Sequence, residues 1–384
     1  MASCAGINKG DTAGRNKSLK KRKAAIMTKG EISLKAQTVL GSIDYDSLGI
    51  TLPHEHIFAN ARDYFFSEPT DPDEKPLAYV PVTLENLFWV RAHALSNIDC
   101  LQMPDETVLA KELLEFKQAG GNTIVDVSTR PLGGTNPLGL QRLAQVTSLN
   151  IIMGTGYYMG LLYSQEVASL TEAQLCDGLV RDLMVGVDET GVRAGIIGEI
   201  GLTPALRDDE RRLLRACAGA QSQTGAPLTI HPPGLDDKLI HEILRILKEN
   251  GGQPERTVIC HVDIMGLNLD TIRRIADAGC FVEFDTFGHL FPPFLLGENV
   301  MSFPSESQRI SAVRQLIEDG YLEHILLSHD TFLKVLLTSY GGFGYAHILR
   351  NIVPVMLRQG ITESQVHTMM VDNPGRLLSF VAEG

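Results

Sequence analysis

The sequence predicts one (β/α)8 TIM barrel, and three observations carry the prediction. From residue 45 onward, short β-branched apolar runs alternate with amphipathic stretches, eight times over. Four of the amphipathic stretches end at a glycine just before the next apolar run, at Gly225, Gly251, Gly279 and Gly320. Histidines and carboxylates recur at the downstream ends of the apolar runs, the rim where barrel active sites are built.

The predicted strands are Gly49–His56, Asn122–Thr129, Asn150–Tyr158, Ala194–Gly201, Pro227–Pro232, Thr257–Asp263, Cys280–Gly288 and Ile325–Asp330. The helical patterns between and after them cover Asp105–Gln118, Leu138–Ser148, Thr171–Val187, Asp208–Thr224, Asp236–Asn250, Leu269–Ala278, Ser305–Glu318 and Thr362–Phe380. Thr171 and Gln174 have capping-box spacing. The stretch Phe58–Gln102 contains Pro69, Pro72, Pro76 and Pro81 and a helical pattern at Thr83–Ser96; it reads as an elaborated first βα loop. An open doubly wound sheet is the competing architecture, and it lacks its Gly-x-Gly-x-x-Gly turn after the first strand.

Charge divides the chain unevenly. Residues 1–30 hold eight basic residues and one acid, a net of +7, so with −12 overall the remainder carries −12 − 7 = −19. Residues 1–34 therefore read as a disordered basic leader and 35–384 as the barrel. Within the leader, Lys20-Lys21-Arg22-Lys23 also suits a nuclear or nucleic-acid patch, the whole segment a transit peptide, and Met27 an alternative start. The acidic body argues against nucleic-acid binding, and no apolar run of about 18 residues predicts a membrane span. Six scattered cysteines without Cys-x-x-Cys spacing point to reduced thiols and a cytoplasmic protein.

The chemistry concentrates at strand ends. His54 and His56, two residues apart, share one face of a strand. Glu199 lies at the end of the fourth predicted strand, His231 of the fifth, His261 of the sixth and Asp330 of the eighth. Four imidazoles and two carboxylates exceed the three protein ligands of one catalytic zinc but suit two divalent ions, with Glu199 able to bridge them.

His54-x-His56 with His231, His261 and Asp330 resembles the phosphotriesterase family of the amidohydrolase superfamily. So do Gln37-Thr38-Val39-Leu40-Gly41 and Leu52-Pro53-His54-Glu55-His56. The runs Gly195–Gly201, Tyr340–Leu349 and Asp372-Asn373-Pro374 look like its phosphotriesterase-related branch, which includes hydrolases of N-acyl amino acids such as N-acetyltaurine. The resemblance implies that His54, His56 and Asp330 hold a buried metal and that His231 and His261 hold an exposed one. Glu199 and a hydroxide would bridge the two. The hydroxide would attack a carbonyl or phosphoryl centre, with Asp330 moving its proton. Organophosphate-hydrolysing members carry a carboxylated lysine where this chain has Glu199, so the resemblance points away from phosphotriesters.

The expected activity is thus cleavage of a carboxylic amide of a small N-acyl amino acid with two divalent ions, Zn2+ first and Mn2+, Co2+ or Fe2+ possible. A lactonase or carboxylesterase with weak phosphotriesterase activity is the alternative, and a non-catalytic binding barrel the third reading. The expected partner is a small molecule, with no nucleic acid and no membrane; a homodimer is expected from the family alone. Tyr158, at the end of the third strand, and Arg130, past the second, are candidate substrate contacts, and Lys334 is a second candidate cation. Strand alternation turns His329 and Cys260 away from the site, as support and filler respectively. Asp285 reads as a hydrogen-bonding support, Asp263 as either a pocket or a loop residue, and Gly341–Tyr345 as either a mobile cover or a tight turn.

Overall fold

The computed structural model describes residues 34–130, 136–264, 267–296 and 299–382. The predicted leader lies outside the described residues apart from Leu34, which opens a strand.

All eight predicted barrel strands are present and shorter than their apolar runs. Two strands precede the barrel, β1 (Leu34–Thr38) and β2 (Gly41–Asp44). The barrel itself uses β3 (Thr51–Glu55), β4 (Thr123–Asp126), β5 (Asn150–Thr155), β6 (Ile196–Gly201), β7 (Leu228–His231), β8 (Thr257–Ile259) and β9 (Phe281–Phe284). After the hairpin β10 (Phe294–Leu296) and β11 (Asn299–Met301) come the eighth barrel strand, β12 (Ile325–Leu327), and the terminal β13 (Ser379–Ala382). The barrel strands run parallel in the order β3-β4-β5-β6-β7-β8-β9-β12. The seam between β12 and β3 has no ladder and is closed by individual hydrogen bonds. Asp330 N–H donates to the His54 carbonyl at 3.2 Å, and His54 N–H donates to Ser328 Oγ at 3.1 Å.

Strand alternation divides the apolar residues into two cores. Val125, Ile152, Ile196, Val258, Phe281 and Leu326 fill the barrel interior with Ala36 and Leu48. Ile124, Ile151, Leu228, Ile259 and Val282 face outward onto helix residues such as Leu113, Leu214 and Ile243. Below the barrel, β1 pairs antiparallel with both β2 and β13, and Val39 N–H donates to the Ile151 carbonyl at 2.9 Å. This three-stranded cap was not legible in the local pattern.

The predicted helix starts coincide with real caps. Asp105 accepts from Thr107 and Val108, Asp236 from Lys238 and Leu239, and Thr171/Gln174 and Ser305/Gln308 form capping boxes. Gly225 closes its helix at φ +74°, a conformation open to glycine at no steric cost.

Two helices differ from expectation. Thr83–Ser96 contains only Leu87–Ala92 as α-helix, followed by a 3₁₀ turn at Ala94–Ser96. The expected helix Thr362–Phe380 is instead Glu363–His367, a π-turn at Thr368–Asp372, Asn373–Leu378 and then β13. Pro374 follows that π-turn as Pro354 follows the π-turn Ile348–Ile352; a proline has no N–H for the helical ladder, and each widened turn absorbs the gap.

The first βα loop and the segment after β12 pack together. Ala61, Val90, Cys100 and Leu101 share a cluster with Leu333, Val335 and Leu336, and Lys334 Nζ meets Asp99 Oδ1 at 2.5 Å. These two segments make one wall of the cavity above the barrel.

Candidate active site

The six residues expected as ligands converge at the C-terminal rim. Glu199 lies at their centre. Its Oε1 is 2.8 Å from both His231 Nδ1 and His261 Nε2 and 3.8 Å from His54 Nε2; its Oε2 is 3.6 Å from His56 Nε2. Asp330 Oδ1 is 3.2 Å from His56 Nε2 and 3.8 Å from His54 Nε2. All are buried except His231, which is partly open to the cavity. Burial alone would raise the Glu199 carboxyl, but the adjacent His231 and His261 hold it well below the usual carboxylate range.

The backbone leaves regular strand geometry at the points that aim these side chains. The β3–β4 register shifts between Leu52 and Glu55, and the β6–β7 register between Ile197 and Ile200. Ile197 and Ile200 both face outward, so strict alternation is broken between them and Glu199 enters the barrel mouth. His261 and Asp330 have φ values of +56° and +50°, a left-handed conformation that costs a residue with a side chain about 1–3 kcal/mol.

Three of the four imidazoles are oriented by a second partner. His54 Nδ1 lies 3.0 Å from Glu283 Oε2, His56 Nδ1 2.9 Å from Ser128 Oγ, and His261 Nδ1 2.9 Å from Asp285 Oδ1. Asp285 also accepts the His261 N–H at 2.9 Å, the supporting role expected of it. Burial pushes the Glu283 carboxyl up to about 7, against the pull of its His54 hydrogen bond. Three Nε2 atoms thereby face one small volume, the arrangement of imidazoles around a metal. The donors fit a divalent ion: those of His54, His56 and Asp330 lie within 4.8 Å of one another, and His54 Nε2 is buried with no hydrogen-bond partner.

Sequence alternation missed Glu55 and Tyr345, as it did Ser128 and Glu283, while His329 has the supporting role expected of it. Glu55, between the two histidines, accepts from Ser328 Oγ at 2.9 Å, the His329 and Thr331 N–H groups at 3.0 Å each, and His329 Nδ1 at 2.7 Å. The Ile348 N–H donates to His329 Nε2 at 3.1 Å, which leaves the His329 proton on Nδ1 toward Glu55. Tyr345 donates its hydroxyl to the His56 carbonyl at 3.0 Å, and Gly342 and Gly344 N–H groups bond back to Leu337 and Leu336, so Gly341–Tyr345 is a tight turn. Cys260, expected to point away, faces the ligand cluster. Asp263 accepts from Thr286 Oγ1 and Arg309 Nε at 2.8 Å each and is a loop anchor.

Above the ligands lies a cavity of about 400 Å3, within the size range of small-molecule sites. Phe65, Phe291, Phe294, Phe303, Phe332 and Met301 supply much of its wall. Tyr158 lines it, with its hydroxyl 3.3 Å from His231 Nδ1. The structure does not bring Arg130 there: its guanidinium pairs with Asp182 at 3.1 Å and Asp188 at 3.0 Å. Lys334 is likewise held by Asp99, and no lysine or arginine lines the cavity among the described residues.

The sequence profile of the phosphotriesterase family matches residues 34–378. The chain belongs to the phosphotriesterase family. Within it, the chain is 38% identical to an N-acetyltaurine hydrolase of Dictyostelium discoideum over 90% of this chain and 98% of that one. It is also 38% identical to the N-acetyltaurine hydrolase of Homo sapiens over 91% and 99%. Among solved structures it resembles a resiniferatoxin-binding protein from Rhodobacter sphaeroides, at 34% identity and a TM-score of 0.86 over 91% and 96%. A lactonase from Listeria monocytogenes matches at 25% identity and a TM-score of 0.72 over 90% and 99%. Membership of the phosphotriesterase family, with this buried histidine–carboxylate cluster able to hold metal, makes the chain a hydrolase.

Proposed function

We propose that this hydrolase cleaves the amide of a small N-acyl amino acid or N-acyl aminosulfonic acid, of the N-acetyltaurine kind, using two divalent ions, zinc first among them. The carrying observation is the convergence of four imidazoles and two carboxylates beneath a largely apolar cavity. The similarity to N-acetyltaurine hydrolases over nine-tenths of the chain supports the amide. His54, His56 and Asp330 would hold one ion, His231 and His261 the other, with Glu199 between them. When bound, the ions supply an activated water and polarise the substrate carbonyl.

Asp330 takes the proton of the attacking water on its carboxylate and passes it to the leaving amine nitrogen. Burial, reinforced by the charge of Glu199, raises the Tyr158 phenol well above its ordinary value, so it stays a hydrogen-bond donor beside the reacting carbonyl. The phenylalanine walls exclude water around the acyl group. Two divalent ions would carry more charge than Glu199 and Asp330 neutralise, and the excess would serve an anionic substrate in a cavity that no lysine or arginine lines among the described residues. The scattered free cysteines support a cytoplasmic setting.

The test is metal quantification followed by a substrate panel: N-acetyltaurine, N-acetyl amino acids, lactones and paraoxon. Turnover of the amides with two ions per chain is expected. Turnover of lactones alone, or full activity with one ion or none, would overturn the reading.

A further inference from the structure

We propose that Cys260 is a thiolate ligand of the metal centre. The inference rests on the metal site described above and adds a donor to it. Val258 fills the barrel interior, and Cys260, two residues on, shares that face. Its Sγ lies 4.0 Å from Glu199 Oε1. The donor atoms of Cys260, His54, Glu199 and His261 all lie within 4.8 Å of one another, and all four residues are buried. A second observation lies on the imidazole: His54 Nε2, in the same group, is buried without a hydrogen-bond partner. It is a lone pair or N–H held out of water, with the thiol, a carboxylate and a second imidazole around it.

Donors at 2.0–2.3 Å from a zinc ion are spaced about 3.3–3.8 Å apart, so a rotation of the Cys260 side chain would place its sulfur either on the ion held by His54 or on the ion held by His261, the two that Glu199 lies between. The thiol now donates to the Ile230 carbonyl at 3.0 Å, a weak S–H bond that a metal bond outweighs. On coordination the S–H bond breaks, the sulfur lone pair forms the bond to the ion, and the proton leaves to solvent; no electron transfer is involved. A thiolate among imidazoles and carboxylates tilts the site toward zinc, cobalt and iron and away from manganese and magnesium.

Cobalt substitution reads this directly. The full-length protein is stripped with chelator and reloaded with Co2+. The wild type is expected to show a sulfur-to-cobalt charge-transfer band in the near ultraviolet. Cys260→Ser is expected to bind the same amount of cobalt without that band, and to lose about tenfold of the preference for zinc over manganese in competition. Cobalt bound by the wild type without the band overturns the proposal while leaving the metal site standing. A band that persists in Cys260→Ser also overturns it, by assigning the ligand to another cysteine. Failure to retain any cobalt overturns the metal site and this proposal together. Should Cys260→Ser not fold, X-ray absorption at the zinc edge of the wild type decides: a sulfur scatterer supports the thiolate, and its absence overturns it.

Discussion

His261 shows how one backbone angle reverses the reading of a strand. Period-two alternation carried on past β8 places Cys260 and His261 on opposite faces, which sends the thiol outward if the imidazole points in. At φ +56° the chain breaks from extended geometry at His261, two residues past β8, so both side chains reach the ligand cluster. Asp330 sits at φ +50° for a comparable reason, at the point where β12 has ended and its carboxylate must turn toward His56. Its amide nitrogen is fixed by the His54 carbonyl, so the side chain is aimed by the residue it serves. Asp330→Asn keeps that shape and removes the proton acceptor. The expected result is a fall in kcat of about 10²–10⁴-fold with KM changed far less, read from steady-state kinetics on the metal-loaded enzyme. Near-wild-type turnover would remove Asp330 from proton transfer.

At the scale of elements, the eight strands were legible because each is a short apolar run between helix caps, and both signals are local. Five of those strands also advertised their chemistry, since His54, His56, Glu199, His231, His261 and Asp330 stand at or just beyond their ends. The hairpin Phe294–Met301, which contributes Phe294 and Met301 to the cavity, was hidden inside a loop of ordinary composition. The β1–β2–β13 cap joins residues at opposite ends of the chain, and no local window sees such a pairing. Arg130 and Lys334 were plausible anion contacts by position, but whether a cation is free depends on partners such as Asp182 and Asp99, which sequence distance conceals.

In the sequence Glu55 is overshadowed by the histidines on either side of it. It is the clasp of the seam where β3 and β12 lack a ladder, and its carboxylate collects four donors from Ser328, His329 and Thr331. Burial raises its carboxyl, but His329 and the other hydrogen bonds win and hold it below the ordinary carboxylate value. A carboxylate with a depressed folded pKa contributes stability that is fully present above its unfolded value, about 4.3, and is lost as pH falls through the folded one. Glu55→Gln turns one acceptor into a donor facing donors, which is expected to cost on the order of 3 kcal/mol in chemical denaturation at pH 7. The same variant should show a shallower loss of stability below about pH 4 than the wild type, because the titrating group is gone. Equal slopes in the two proteins would place the acid sensitivity elsewhere.

For the whole molecule, the donors come from β3, β6, β7, β8 and β12 or the residues just after them, from His54 to Asp330. One small centre therefore joins both sides of the weak barrel seam. Removing the ions leaves Glu199 and Asp330 as buried carboxylates whose compensation must come from the histidines alone, an arrangement that costs more than the metal-bound one. Binding to the folded state and not to the unfolded chain stabilises the fold by RT ln(1 + [L]/Kd), about 2.7 kcal/mol at a hundredfold excess over Kd. For a chain of this size that corresponds to a rise in Tm of roughly 3–4 °C. Thermal melts of chelator-stripped protein should start at least that far below the metal-loaded form and climb continuously as zinc is added. Glu199→Ala, which deletes the carboxylate at the centre of the cluster, should abolish most of the climb while leaving the stripped Tm within a few degrees of wild type. A Tm that ignores both chelator and zinc would show that the seam is held by Glu55 and its partners alone, with the donor cluster contributing nothing to the closure of the barrel.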